Sequence, residues 1–167
     1  MTFSLRLLTP ADEGFLWEML YYAAHMDEEG DKTPADARRD PFLAKFVQGW
    51  GLDGDLGLAA VDTVSGRPVG AAWVRLLTGP QRSYDVVDDT VPELAIAVRP
   101  EYIGLGIGTR LLAALLGAAR PVYPSIVLSV RDDNPARRIY ERHGFVVVDR
   151  ITNRVGGQSL VMVVTLQ

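Results

Sequence analysis

The sequence predicts a single α/β domain, residues 1–167, with a mixed central β-sheet flanked by helices. Two observations carry this. Elements follow the order helix, helix, hairpin, strand, helix, strand, helix, strand pair, so both crossover and hairpin neighbours enter one sheet. The composition is that of one packed domain: 167 residues, 48% hydrophobic and 23% charged.

The same numbers exclude several functions. A net charge of −4 offers no basic face for nucleic acid. The absence of cysteine removes disulfides, thiolate metal sites and a cysteine acyl-enzyme. No apolar run approaches the ~20 residues that span a bilayer, and MTFSLRLLTP lacks a signal-peptide pattern. The chain therefore reads as cytoplasmic, with no membrane partner.

Thr9-Pro10-Ala11-Asp12 reads as a helix start, and Phe15, Leu16, Met19 and Leu20 continue it at helical spacing. A polar stretch from His25 to Lys32 then breaks the pattern; its Asp27, Glu28, Glu29 and Asp31 read as a solvated loop or as a lure for a cationic acceptor. Asp40-Pro41 restarts a helix with Phe42, Phe46 and Trp50 on one side. Leu56–Val61 and Val69–Leu77 form a hairpin around a turn containing Gly66 and Pro68. Thr78–Val91 has no period, and so long a loop is often functional.

Leu94–Val98 is a continuous apolar run, expected of a central strand. The next helix carries Ile107, Leu111, Leu112, Leu115 and Leu116 on one stripe and stops at Arg120-Pro121. Ser125–Val130 and Phe145–Ile151 read as buried strands and Gln158–Leu166 as the last. Between the first two, Asn134-Pro135 caps a short helix closed by Gly144.

Gly104-Leu105-Gly106-Ile107-Gly108-Thr109 sits between strand and helix, where bare backbone lets a ligand lie against amide N–H groups. A dinucleotide fingerprint, G-x-G-x-x-G, fits poorly, because Thr109 follows the third glycine and five residues separate strand from loop. That leaves an NAD-binding oxidoreductase as the weakest reading.

The run Val98-x-Pro100, Gly104-x-Gly106-x-Gly108, a leucine helix, a strand and then Asn134-Pro-Ala-Arg-Arg-Ile-Tyr140-Glu-Arg-His-Gly144-Phe145 closely resembles the GCN5-related N-acetyltransferases (GNAT) over roughly Pro92 to Arg150. The resemblance implies a splayed pair of central strands, acetyl-CoA as co-substrate, and direct transfer of its acetyl group to an amine. A non-catalytic acyl-CoA sensor is the alternative. A small molecule or a peptide would supply the amine, and a homodimer stays open.

The resemblance also assigns residues. The pyrophosphate of coenzyme A would lie on amides from Gly104 to Thr109, with pantetheine along Leu94–Val98 and backbone near Ile96, Ala97 and Val98 holding the acetyl carbonyl. Ile103 stands where the family usually has glutamine or arginine. Asn134 would bond the cofactor, cap its helix, or both. Tyr140 would protonate the departing thiolate, with core packing as the plainer alternative. Glu93 is the carboxylate best placed along the chain to accept the amine's proton, or is a solvent-facing strand residue. His25 and His143 lie too far apart for a triad or a metal site. Phe15–Asp31, Phe42–Trp50 and Thr78–Val91 would shape the acceptor pocket, with Trp17, Trp50, Trp73 and Tyr84 as candidate lining.

Overall fold

The computed structural model describes residues 2–166. Seven strands form one mixed sheet: β1 Phe3–Leu7, β2 Leu56–Asp62, β3 Pro68–Arg75, β4 Glu93–Val98, β5 Ser125–Arg131, β6 Val146–Thr152 and β7 Gln158–Thr165. Their spatial order is β1-β2-β3-β4-β5-β7-β6. The helices are α1 Glu13–Ala23, α2 Pro34–Arg39, α3 Pro41–Ala44, α4 Ile107–Ala119 and α5 Arg137–Arg142. Among the described residues no helix is long and apolar enough to cross a membrane.

All strand pairs are antiparallel except β4 with β5. That pair meets at one position, Glu93 opposite Val127, where the Val127 amide donates to the Pro92 carbonyl at 3.1 Å. Beyond it the strands part, as the splayed pair expected from the sequence requires. The sheet is therefore complete at its two sides and open in the middle.

Each face of the sheet has its own core. On one face the α4 stripe of Ile107, Leu111, Leu112, Leu115 and Leu116 packs on β2, β3 and β4, in a buried cluster with Leu58, Ala72, Val74 and Leu94 that continues to Ile126, Leu128, Leu160 and Met162. On the other, Leu16, Met19 and Leu20 of α1 pack on Ala71, Trp73 and Ala97. Strand β4 alternates between them, with Leu94, Ile96 and Val98 toward α4 and Ala95 and Ala97 toward α1. The alanines leave room for α1 to come close to the sheet.

Two expectations need correction, and two elements, α2 and β1, are additions to them. The helix from Asp40-Pro41 is a single turn, although the Asp40 carboxylate accepts the Phe42 amide at 2.9 Å as a cap should. A separate helix, α2, precedes it, started by Thr33, whose amide donates to Asp36 Oδ2 at 2.7 Å. The two cannot merge because the residue before Pro41 is held extended, at φ −86 and ψ 113. Phe42 is 74% exposed and does not share a buried side with Trp50. Strand β1 went unread, since Phe3 and Leu5 alternate over only five residues. Strand β6 is not buried: it is the sheet edge, bulged between Val147 and Asp149, with Val146, Val147 and Val148 exposed.

Candidate active site

The gap between β4 and β5 opens into a cleft of about 990 Å³ lined from both faces of the sheet. One end is bounded by α4, α5 and the glycine loop, the other by α1, α3, Tyr84 and the β6–β7 turn. The cleft thus joins two chambers through the split sheet.

The first chamber is built largely of backbone. Gly104 and Gly106 adopt φ of +87 and +81, and a Cβ at either would meet nothing within 4 Å, so both bare positions face open space. Gly108 has an ordinary φ, and a Cβ there would only touch Val98 Cγ2 at 4.0 Å. The first closing bond of α4 runs from the Arg110 amide to the Gly106 carbonyl, leaving the amides of Gly104, Leu105, Gly106, Ile107, Gly108 and Thr109 without a hydrogen-bond partner among the described residues. Six free donors at the positive end of a 13-residue helix make a cradle suited to a pyrophosphate. Ile103 stands at its rim, 68% exposed.

Strand β4 supplies more open backbone. The Arg99 amide donates to the Val69 carbonyl on β3 at 2.8 Å, and strand alternation then turns the amides of Ile96 and Val98 toward the gap. The Ala97 amide faces β3 by the same alternation. Of the three carbonyl-binding positions expected from the sequence, two present an N–H to the cleft and Ala97 presents its side of the wall.

The turn before α5 brings Asn134, and α5 itself brings Tyr140, to the opposite wall. Asn134 Oδ1 accepts the Ala136 amide at 2.9 Å in the turn before α5, whose N-cap is Ala136 and not the asparagine expected from the sequence, and its Nδ2 has no partner among the described residues. Tyr140 is 8% exposed, with its ring edge-on to Phe145 at 5.8 Å between centroids. Its hydroxyl makes no hydrogen bond among the described residues, and burial pushes its pKa up to about 12. The phenol therefore keeps its proton throughout the physiological range.

The second chamber is built of side chains. Leu20, Leu43 and Phe46 form an apolar wall. Tyr84 donates to Ser129 Oγ at 2.9 Å, and Ser129 is exposed to the cleft. Around the mouth, His25 Nδ1 lies 2.9 Å from Glu28, and Arg154 grips Glu29 with both terminal nitrogens and also donates to the Ala24 carbonyl at 3.1 Å. Two of the four acids of the His25–Lys32 loop are thus engaged by basic partners. Of the aromatic residues expected here only Tyr84 lines the cleft; Trp17, Trp50 and Trp73 are buried in the α1 core. Ser129, Arg131 and the Asn153–Val155 turn also line it and were missed. The alternation of Ser129 and Arg131 along β5 was the available signal.

Glu93 lies at the fork of the sheet but is only 1% exposed and does not line the cleft. It is not the solvent-facing residue offered as its alternative. Its Oε2 accepts the Ser83 amide at 2.8 Å, while Oε1 is buried without a partner. Burial raises its pKa, and burial lowers that of nearby Lys45, which donates to the Gln81 carbonyl at 2.9 Å. Ser83 immediately precedes Tyr84, so Glu93 anchors the loop that presents the Tyr84 hydroxyl.

Comparison with known proteins agrees with this geometry. The model of the acetyltransferase (GNAT) family matches residues 17–145. Among solved structures, yncA from Salmonella typhimurium with its cofactor acetyl-CoA is 22% identical, with a TM-score of 0.67 over 100% of this chain and 95% of that one. The aminoglycoside acetyltransferase AAC(6')-Ib in complex with coenzyme A is 25% identical, with a TM-score of 0.63 over 98% and 95%. A spermidine N-acetyltransferase chimera of Vibrio cholerae SpeG and hSSAT is 18% identical, with a TM-score of 0.67 over 99% and 96%. No curated protein sequence matches the chain significantly.

Proposed function

This chain belongs to the acetyltransferase (GNAT) family and is an acetyl-CoA-dependent N-acetyltransferase, and we propose that residues 1–167 act as one catalytic domain in which the two chambers hold the two substrates on opposite sides of the split sheet. The carrying observation is the row of six unpartnered amides opening onto a gap that Tyr140 faces from α5. In this reading the amides of Gly104–Thr109 hold the pyrophosphate, Ile103 borders it, and Asn134 Nδ2 bonds the pantetheine arm. The amides of Ile96 and Val98 receive the acetyl carbonyl and the oxyanion it becomes, with Ala97 closing the wall between them.

The chemistry is a direct displacement. The amine nitrogen forms a bond to the acetyl carbon, the carbon–sulfur bond breaks, and the electron pair leaves on sulfur. Tyr140 donates its hydroxyl hydrogen toward that sulfur. Since a thiol has a pKa of ~8.5, a phenol near 12 acts more as a strong hydrogen-bond donor than as a source of a fully transferred proton. The amine, with a pKa of ~10, must lose a proton as it attacks; that proton passes first to water in the cleft, and Glu93, buried behind the cleft wall with its affinity for protons raised by burial, is the group proposed to take it from that water.

Gly108→Val tests the cradle. Its backbone angle suits any residue and its Cβ has room, so the variant should fold and keep its melting temperature. Calorimetry with acetyl-CoA should show binding weakened at least tenfold, because the added methyls occupy the ligand's position. Unchanged affinity would remove the cradle from the proposal.

A further inference from the structure

The two arginines at the acceptor end of the cleft differ in one respect. Arg154 is committed, bonded to both oxygens of Glu29 and to the Ala24 carbonyl. Arg131 is not. Its side chain is 27% exposed, it makes no hydrogen bond among the described residues, and the carboxylate paired with it, Glu28 Oε2, stands 3.8 Å away and is itself 2.9 Å from His25. A half-buried guanidinium with its whole donor fork open into a substrate chamber is a site for a planar anion.

The surroundings narrow that anion's carrier. Arg131 shares its strand face with Ser129, whose hydroxyl accepts from Tyr84 and so keeps its own hydrogen to donate. Arg131 lines the same cleft as Ile96 and Val98, across the gap where β4 and β5 part. An anion held by Arg131 therefore sits in the chamber that the attacking amine enters. Leu20, Leu43 and Phe46 supply an apolar wall for the rest of the molecule. Asp27, exposed at the mouth and without an ion pair among the described residues, meets an incoming ammonium.

Resting on the acetyltransferase reading, we propose that Arg131 binds the carboxylate of the acceptor, which is a small zwitterionic amine with an apolar body: a free amino acid or a close analogue. A polycation is the wrong charge for that end, because Glu28 and Glu29 are already engaged by basic side chains.

The test measures thiol release from acetyl-CoA with leucine, methionine and phenylalanine, with their carboxamides, and with spermidine and kanamycin. We expect kcat/KM for an amino acid to exceed that of its carboxamide at least tenfold. Arg131→Gln should bring that ratio down toward one, chiefly through KM, and Arg131→Lys, which keeps the charge without the fork, should fall between. Because the Arg131 side chain has no hydrogen bond among the described residues to lose, both variants should melt as the parent does. Equal use of acids and carboxamides, a preference for spermidine or kanamycin, or a ratio unmoved by Arg131→Gln overturns the assignment. So does a lack of turnover with every amine while calorimetry still shows acetyl-CoA bound. Failure to bind acetyl-CoA would instead bring down the proposed cofactor site.

Discussion

The two chambers that meet at the split sheet are made of different materials. On the α4 side, the groups proposed to hold the ligand are six consecutive amides and the open edge of β4, and side chains matter mainly by being absent. On the α1 side, the surface consists of side chains from α1, α3, the 78–91 loop, β5 and the β6–β7 turn. The first arrangement suits a ligand that never changes, such as a pyrophosphate recognised by helix-terminal amides. The second can be re-specified by single substitutions without disturbing the backbone. A fold that keeps one substrate and varies the other gains from this division.

The largest expected effect lies at the fork between them. If Glu93 takes the amine's proton, Glu93→Gln should lower kcat/KM by roughly 100- to 10,000-fold while acetyl-CoA affinity holds. Stability should move the other way. The carboxyl's folded pKa is raised, so ionising it in the folded state costs stability, and that cost appears as pH rises through the raised value. Glutamine carries no such cost and still accepts the Ser83 amide. Melting curves should therefore show the variant more stable than the parent at pH 8, with the gap closing by about pH 4, below the ordinary carboxyl value. A stable variant with full activity would make Glu93 only the anchor of the Tyr84 loop.

A second test asks whether the acceptor wall can fail alone. Arg75, buried on the α1 face, donates to both oxygens of Asp55 at 3.0 and 2.8 Å and to the carbonyls of Lys45 and Gln48. It pins the chain that follows α3 to the sheet. Asp55→Ala leaves that guanidinium short of charge and should cost about 3–5 kcal/mol in denaturant unfolding. In the folded fraction acetyl-CoA should bind as before, since the cradle lies on the other face. A joint loss of stability and cofactor affinity would show that the chambers are coupled more tightly than their separate cores imply.

The difference in material also explains what could be read from the chain. Backbone sites leave local signatures: Gly104, Gly106 and Gly108 ahead of a leucine stripe, and Asn134 six residues before Tyr140, each sit within one contiguous stretch. The elements of the α4 half were accordingly legible: the β4 strand, the glycine loop and the leucine stripe all lie where the sequence puts them. The α1 half was not, because Ser129, Arg131 and Arg154 become neighbours of His25 and Glu28 only after the sheet folds. Helix α2 escaped for a related reason, since its six residues carry a capping box but only one fully buried side chain, Ala37. Exposed β6 was misjudged because Val146-Val147-Val148 looks like a core strand when its sheet position is unknown.

Tyr140 tests the seam from the cofactor side. Tyr140→Phe keeps the ring against Phe145 and should lower kcat by about 10- to 1,000-fold with little change in the Michaelis constant for acetyl-CoA. With its pKa near 12, the hydroxyl stays protonated from pH 7 to 9, so any shrinking of the deficit over that range reflects the thiolate leaving unaided. Full activity at pH 7 with chemistry limiting would reduce Tyr140 to packing.

The smallest effect belongs to Ile103, and it sharpens the contrast most directly. If the cradle works through amides, a side chain at its rim should add little. Ile103→Arg places a guanidinium beside the phosphate oxygens from a residue that is 68% exposed, where an ionic contact is worth about 1 kcal/mol, or a few-fold in affinity. The backbone at Ile103 is extended, at φ −67 and ψ 145, and its side chain has solvent around it, so the replacement meets no steric cost. Calorimetry at low and high salt should show modestly tighter acetyl-CoA binding that fades as salt screens the added charge. A gain of a hundredfold would mean that side chains govern this chamber as they govern the other. A several-fold loss would show that Ile103 itself packs on the ligand, making the rim apolar by design of this chain.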